Sequence, residues 1–133
     1  MQFIPYLNFN GNCEQAFKFY EQTFAGKIES MFRHEGTPVA EHVPPNWLNK
    51  IMHASMTWDG GAIMGSDAPP DHYKQPAGFS VSIHTKEPSD AENKFEALSK
   101  GGKVVMPIQQ TFWARRFGML IDQFGIPWMI NCE

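Results

Sequence analysis

The sequence contains little cysteine, no excess of basic residues and no long apolar run. Its 133 residues include two cysteines, Cys13 and Cys132, whose spacing fits neither a compact metal motif nor a redox motif. There are 11 lysines and arginines against 14 aspartates and glutamates, and a formal charge of −3 gives no electrostatic basis for binding nucleic acid. No stretch approaches the about 20 apolar residues of a membrane-spanning helix, and Met1 opens on a predicted strand rather than a signal peptide. We therefore expect a reduced, cytoplasmic protein without nucleic-acid or membrane partners.

Two sequence signatures of catalysis are also missing. No Gly-x-Ser-x-Gly motif is present, and no serine or cysteine has an assignable base, so nucleophilic catalysis has little support. No Gly-x-Gly-x-x-Gly turn is present either, and a strand order rich in hairpins does not suit a Rossmann-type cofactor site. We therefore predict no cofactor. Cys13, at a helix start, is interpreted as a small buried residue rather than a reactive thiol.

One pattern occurs twice along the chain, as a strand, a helix and three further strands. The first copy begins with a predicted strand at 3–10 and the second with one at 79–85, and in register Phe17 falls on Phe95. Each copy is too small to bury its own sheet, so the repeat predicts one α+β domain built from two tandem βαβββ modules. The predicted parts are module one at about 1–67, a linker at about 68–77 and module two at about 78–133.

Local signals place the helix ends, the turns and the loops. Asn12 is predicted to cap the first helix, with Gln15 completing a capping box, and Gly26 is predicted to end that helix. Residues 59–61 and 123–125 carry hairpin-turn signals, whereas 34–49 is predicted to be a loop with a short helical turn.

Alternation along two strands separates an apolar face from a polar face. In Ile51–Trp58 and in 79–85 every second residue is apolar, which is the period of a strand with one buried face. The apolar set is expected beneath the helices: Met52, Ala54, Met56, Trp58, Phe79, Val81 and Ile83. The polar set is expected on the opposite, concave face: His53, Ser55, Thr57, Ser80, Ser82 and His84. Because buried polar groups need partners, this face is predicted to hold water or a ligand.

Several short motifs add to the repeat: Pro5–Phe9, Gly11–Cys13, Met52–Ala54, Met64–Asp67, Gln110–Ala114, Phe117–Gly118 and Asp122–Asn131. With these motifs the chain resembles the vicinal-oxygen-chelate superfamily of glyoxalase I, bleomycin-resistance proteins and extradiol dioxygenases. The similarity is closest to its PhnB-like branch, also described as demethylubiquinone methyltransferase-like. The resemblance implies a glyoxalase-like fold, with a curved mixed sheet around a cup, in a homodimer.

The resemblance also implies four metal-ligand positions, because superfamily enzymes bind a divalent ion with His or Glu from the first and fourth strands of each module. In this sequence those positions fall on Pro5, near Gly65, and on Ser80 and Met129. Proline and glycine have no donor side chain, neutral serine is a poor ligand for Zn²⁺ or Ni²⁺, and a thioether suits Cu(I) better. We therefore predict that the superfamily metal site is absent.

An alternative ligand set stays open. His53 and His84 from different modules, with Asp67 near them, form the two-histidine, one-carboxylate combination that iron(II) and zinc accept. With this set the protein is a metal-dependent lyase or dioxygenase of the glyoxalase kind. The simpler interpretation is that both histidines are neutral and hydrogen-bonded on a polar face.

A binding role has more support. Phe112 and Trp113 lie between two predicted strands, where a loop over the cup presents a flat aromatic wall, and Arg115 or Arg116 is placed to meet an anionic group. In an alternative interpretation, Trp113 packs in the core or at the subunit interface. A further alternative for the whole protein is a dimer that serves only protein interaction and binds no small molecule. Tyr6 and Asn8 are interpreted as packing and capping residues. We predict binding of a small, partly polar, planar molecule, with these candidate contacts: His53, Ser55, Asp67, Ser80, Ser82, His84, Trp113 and Arg116.

Overall fold

The computed structural model describes residues 1–133 and contains two four-stranded sheets, each with one α-helix. The elements are β1 (Tyr6–Phe9), α1 (Cys13–Phe24), β2 (Lys27–Arg33), β3 (Ile51–Trp58), β4 (Gly61–Asp67), β5 (Val81–His84), α2 (Pro88–Ser99), β6 (Lys103–Gln109), β7 (Arg116–Ile121) and β8 (Pro127–Cys132). Two short 3₁₀ turns, Ala40–His42 and Pro45–Trp47, lie in the loop before β3, as expected there. Neither 12-residue helix is long and apolar enough to cross a membrane.

The chain divides into two compact units, Met1–Lys74 (unit 1) and Gln75–Glu133 (unit 2). Each unit contains one βαβββ module, which confirms the predicted α+β class with tandem modules. The division falls within the predicted linker, and the organisation of both modules as a single domain stays a prediction.

Both sheets have the same mixed topology. The strand order is β1-β4-β3-β2 in unit 1 and β5-β8-β7-β6 in unit 2. The first strand of each unit pairs in parallel with the last, and the other pairs are antiparallel. The helix of each unit packs on one face of its sheet, called here the helix face, and the opposite face is called the open face.

The core of unit 1 lies between α1 and the helix face of its sheet. Phe17 meets Phe9 and Tyr20 edge to face, with ring centroids 6.1 and 6.3 Å apart. Gly65 permits this close packing, because a Cβ there would lie 2.8 Å from the Leu7 carbonyl oxygen and 2.9 Å from the Phe17 ring. The buried apolar residues are Leu7, Phe9, Cys13, Ala16, Phe17, Tyr20, Ile51, Ala54, Met56 and Ile63.

The core of unit 2 is built in the same way beneath α2. Phe95 is 6% exposed, and its ring lies so close to Gly118 of β7 that a Cβ at Gly118 would be 2.6 Å away. The apolar residues Val81 and Ile83 of β5 are paired with buried Trp128 and Ile130, so they lie on the helix face as predicted. Phe79, expected in the same buried set, precedes β5 and is 53% exposed, so its predicted burial was wrong. The other buried apolar residues of this unit include Ala91, Leu98, Leu120, Ile126 and Cys132.

A buried aspartate closes the turn between β7 and β8. Asp122 is 3% exposed, and its Oδ1 accepts hydrogen bonds from the backbone N–H groups of Phe124 and Ile126 at 2.9 and 3.0 Å. Its Oδ2 accepts a hydrogen bond from Trp128 Nε1 at 2.8 Å. The predicted turn at 123–125 is therefore fixed by a side chain that also holds a core tryptophan.

Three local predictions need correction. Asn12 precedes α1, but its side chain makes no capping hydrogen bond. At the other end, Ala25 rather than Gly26 adopts the left-handed conformation, with φ 51°, and the Gly26 N–H donates to the Glu21 carbonyl. The first strands of both units are also shorter than the predicted ranges 3–10 and 79–85.

Candidate functional site

The open face of unit 1 carries side chains in rows that cross the strands. Paired residues of neighbouring strands share a face, so the register fixes each row. The first row contains Tyr6, Met64, Ser55 and Ser30, on β1, β4, β3 and β2. The second row contains the pair Asn8 and Ser66, on β1 and β4, and the pair His53 and Phe32, on β3 and β2. Apart from Met64 and Phe32, every side chain in these rows has a hydrogen-bonding group.

Two side-chain hydrogen bonds join groups on this face. The Tyr6 hydroxyl lies 3.2 Å from His53 Nδ1, and the two ring centroids are 5.8 Å apart. The hydroxyls of Ser30 and Ser55 are 2.8 Å apart. A phenol is the stronger donor and a basic ring nitrogen the stronger acceptor, so we assign the proton between Tyr6 and His53 to Tyr6. An imidazole that accepts at Nδ1 carries its proton on Nε2, where it is a hydrogen-bond donor.

Tyr6 is the residue of this face whose polar contact the sequence interpretation missed. It was expected to be a packing residue, but it is 46% exposed and its hydroxyl contacts His53. The alternation of exposed Tyr6 and Asn8 with buried Leu7 and Phe9 was a usable signal, because period-two patterning places Tyr6 opposite the core. The predicted positions of His53 and Ser55 on the open face agree with the structure.

Asp67 lies on the helix face and not beside His53. It is 2% exposed, its Oδ1 accepts a hydrogen bond from the Cys13 N–H at 2.9 Å, and its Oδ2 accepts one from the Ile51 N–H at 2.9 Å. The carboxylate therefore joins the start of α1 to the start of β3. Its negative charge also interacts favourably with the positive end of the α1 helix dipole. Asp67 therefore has a structural role and is not among the residues of the candidate binding site.

The open face of unit 2 has the same rows but a different chemistry. Its first row contains Ser82, Met129, Met119 and Met106, on β5, β8, β7 and β6. Its second row contains His84, Asn131, Phe117 and Gln109, and its third contains Pro127, Ile121 and Lys103. The predicted polar character of β5 is present at Ser82 and His84, but β7 contributes only apolar side chains to this face. Pro127, Met129 and Asn131 were expected on this face from the alternation in the last strand, and they lie there. The apolar contribution of β7 was not predicted.

Trp113 stands beside the apolar part of this face. It is 48% exposed, and its ring centroid lies 5.3 Å from that of Phe117 and 4.9 Å from that of Phe112. Ser80 precedes β5 and is half-buried. Phe112 and Trp113 are therefore exposed next to an open sheet face, and their role as an aromatic wall for a ligand stays a prediction.

Arg115 and Arg116 both donate hydrogen bonds to groups within unit 2. Arg116 Nε donates to Glu92 Oε1 at 2.6 Å, and its Nη1 donates to the Arg115 carbonyl at 2.6 Å. Arg115 donates to the carbonyl oxygens of Lys86 and Glu133. The ion pair of Arg116 points toward α2 and not toward the open face, so its predicted role as an anion contact has no geometric support.

The positions at which the resemblance implies metal ligands do not form a donor set. Pro5 precedes β1, and Gly65 lies on the helix face beneath Phe17. The open-face residues beside them, Tyr6 and Met64, offer a hydroxyl and a thioether instead of an imidazole or carboxylate. No group of three His, Cys, Asp or Glu side chains is arranged to hold a metal ion. The side chains beside Pro5 and Gly65 are therefore not the imidazole and carboxylate ligands that the resemblance implies.

The two cysteines are also unsuited to reaction. Both are buried, and burial raises the pKa of the Cys13 thiol well above its usual range, with the carboxylates of Asp67 and Glu14 adding to the effect. A thiol that stays protonated is a poor nucleophile. This agrees with the interpretation of Cys13 as a small core residue.

A polar cleft of about 260 Å³ lies beside the start of α1, but its charged groups already have partners. Arg33 donates to both carboxylate oxygens of Glu14 at 3.1 Å, and Lys50 Nζ donates to the Gly11 carbonyl at 3.0 Å. Lys18 and then Arg33 hold the pKa of Glu14 below its usual value. The charged groups of the cleft are therefore paired within the protein, whereas the buried Oδ1 of Asn12, which also lines it, has no hydrogen-bond partner. We assign no ligand to this cleft.

Two βαβββ units of this topology define the glyoxalase and bleomycin-resistance class of fold. The glyoxylase/bleomycin resistance protein/dioxygenase domain from Frankia sp. EAN1pec shares it, with a TM-score of 0.70 at 14% identity, over 99% of this chain and 96% of that one. Protein PA1353 from Pseudomonas aeruginosa is 43% identical with a TM-score of 0.91, over 100% of this chain and 98% of that one. Protein YjdN from Escherichia coli K12 is 34% identical over 139 residues, covering 98% of this chain and 95% of that protein.

Residues 1–131 match the family model described as 3-demethylubiquinone-9 3-methyltransferase, and the chain belongs to this family. The predicted place in the PhnB-like branch of the glyoxalase superfamily is confirmed.

Proposed function

We propose that the protein binds a small, partly polar, planar organic molecule on the open face of unit 1, without the divalent metal of superfamily enzymes. The observation that carries the proposal is the Tyr6–His53 pair, with its 3.2 Å hydrogen bond, beside the Ser30–Ser55 pair on the same face. These groups are held in fixed positions by adjacent strands and are not part of the core.

Aromatic rings frame the polar groups of this face. Tyr6 on β1 is 46% exposed and Phe32 on β2 is 54% exposed, and these strands are the two edges of the sheet. Exposed rings of this kind offer flat apolar contact area to a planar ligand. The His53 Nε2–H between them is a donor for a carbonyl or other acceptor oxygen of the ligand. Binding sites for small organic molecules commonly combine apolar walls with a few placed polar groups in this way.

Replacing His53 with alanine is expected to abolish or strongly weaken ligand binding while changing the melting temperature little, because His53 is outside the core. Ligands found by a thermal-shift screen of planar oxygen-containing compounds would be titrated calorimetrically into both proteins. His72→Ala is the matched control, since His72 lies outside the strands with its side chain 77% exposed. Equal affinity of His53→Ala and the wild type for such a ligand would contradict the proposed site.

The open face of unit 2 is proposed as a second contact surface. Ser82 and His84 supply polar groups there, and Trp113 with Phe117 supplies apolar ring surface. Ligand contact at each open face is tested by substituting residues of that face.

Removal or addition of divalent metal is expected to leave stability unchanged. A ligand bound to the native state raises the melting temperature by mass action, so an occupied metal site would respond to its removal. We expect no shift in melting temperature with EDTA and none with one equivalent of Ni²⁺ or Zn²⁺, measured by differential scanning fluorimetry. A clear rise with a single equivalent of either ion would favour the second candidate function, a metal-dependent lyase or dioxygenase that recruits His53.

Methyl transfer is not part of the proposal. The helix of each unit follows a strand that pairs in parallel with the last strand of its own unit, and the turn before α1 contains one glycine, Gly11. This arrangement differs from the doubly wound sheet and glycine-rich turn that nucleotide-type cofactors use.

We further propose a cytoplasmic homodimer. Each sheet has two edge strands, β1 and β2 in unit 1 and β5 and β6 in unit 2, and soluble proteins usually cover such edges. β6 exposes Val104, Val105 and Met106 by 42, 53 and 37%. Light scattering at micromolar concentration is expected to give twice the chain mass of 15.1 kDa. A mass of one chain under these conditions would refute the dimer.

A further inference from the structure

Three methionines stand side by side on the open face of unit 2. Met106, Met119 and Met129 lie on β6, β7 and β8, and the register pairs Met106 with Met119 and Met119 with Met129. Met106 is 37% exposed, and the other two are half-buried. The three residues are distant in sequence, and only the strand pairing brings them together. In the equivalent row of unit 1, Met64 is the single methionine.

The spacing of such a row lets its sulfur atoms converge. Neighbouring strands are about 4.8 Å apart, so the central side chain lies within reach of both flanking ones. Methionine is unbranched and has three rotatable bonds, which allow its thioether to turn toward a shared point. In β6 the pair Met106–Met119 lies between two register shifts. Rotation about the side-chain bonds would bring the three sulfur atoms toward one point.

The chemistry of three thioethers selects a soft ion. Thioethers are neutral, polarizable ligands that favour Cu(I) over Zn²⁺. The β7 neighbours of the row, Phe117 and Ile121, are apolar, whereas Ser82 lies in the row itself and Lys103 in the next one. We propose that Met106, Met119 and Met129 form a binding site for a soft monovalent ion, Cu(I) or Ag(I). This site shares the open face of unit 2 with the second contact surface proposed above, and it uses none of the residues of unit 1.

The test uses the full-length protein labelled with ¹³C at the methionine methyl groups. Silver nitrate is titrated in chloride-free buffer, with Ag(I) as the redox-inert probe, and the eight methionine methyl signals are followed by NMR. We expect the methyl signals of Met106, Met119 and Met129 to shift together and to saturate at one equivalent, while that of Met64 stays in place. This readout reports thioether binding directly, so silver bound by Cys13 or Cys132 does not imitate it.

Leucine variants separate a sulfur site from an apolar surface. Met→Leu nearly conserves side-chain volume and is usually tolerated, so the fold is retained while the ligand atom is removed. Met119→Leu, the central change, is expected to abolish the saturable shifts of Met106 and Met129, whereas Met64→Leu leaves them unchanged. Competition with bicinchoninate under reducing, anaerobic conditions extends the comparison to Cu(I).

Three results would overturn the proposal. One is the absence of methyl shifts at one equivalent of silver. Another is a uniform shift of all methionines that grows with excess silver, which indicates non-specific contact. The third is unchanged silver binding by Met119→Leu, which shows that the row serves only as an adaptable apolar surface.

Discussion

Replacing Asp67 with alanine is expected to lower the free energy of unfolding of unit 1 by about 2–6 kcal/mol, since each buried donor left without a partner costs about 1–3 kcal/mol. The two donors are the backbone N–H groups of Cys13 and Ile51, each 2.9 Å from one carboxylate oxygen of Asp67. The substitution removes both acceptors at the point where α1 and β3 begin. Urea denaturation, with hydrogen exchange followed separately in peptides of the two units, measures the loss and its location.

The matched control is Asp71→Ala. Asp71 carries the same charge in the same unit, but its side chain is 79% exposed and its one ion-pair contact, with His72, spans 3.8 Å. Its replacement is expected to change stability by less than about 0.5 kcal/mol. If Asp67→Ala were as harmless as this control, the buried aspartate would not be the residue that fixes the start of α1.

Replacing Phe95 with alanine is expected to cost unit 2 about 3–5 kcal/mol, as large-to-small changes of aromatic core residues do. Phe95 is 6% exposed and packs on Gly118, whose missing side chain makes room for the ring. Because that room is shaped by the backbone of β7, the cavity left by alanine cannot close easily. The predicted signature is faster hydrogen exchange in α2 and β7 and a lower urea midpoint.

Phe112→Ala provides the control for this change. The same side chain is removed, but Phe112 is 97% exposed and touches the neighbouring ring of Trp113 rather than the core. Phe112→Ala is therefore expected to change the free energy of unfolding only slightly. Similar losses for the two variants would contradict the assignment of Phe95 to the core beneath α2.

Local periodicity was enough to predict the architecture of both units. Phe17 and Phe95 stand at equivalent positions of two amphipathic helices, and the alternation in Ile51–Trp58 correctly put His53 opposite the core. These properties depend on neighbours three, four or two residues away, which a sequence displays directly. The repeat then predicted two βαβββ modules, because each copy is too small to bury its own sheet.

Contacts between distant residues were beyond the same reasoning. The acceptor for the first N–H of α1 comes from Asp67, which is 54 residues from Cys13 in sequence, so local capping rules pointed to Asn12 instead. The chemistry of an open face is likewise set by several strands together. Ser82 and His84 suggested a polar surface in unit 2, but β7 places Met119 and Phe117 on that face.

The central claim is that this member of the family binds an organic molecule through side chains such as Tyr6 and His53, and not through a divalent metal. Native mass spectrometry of untagged protein, purified without added metal or chelator, tests it most directly. The account predicts a mass shift that matches a small organic compound, that is lost on denaturation and that is absent from His53→Ala. One equivalent of zinc, nickel, manganese or iron per chain, with no organic adduct, would contradict it.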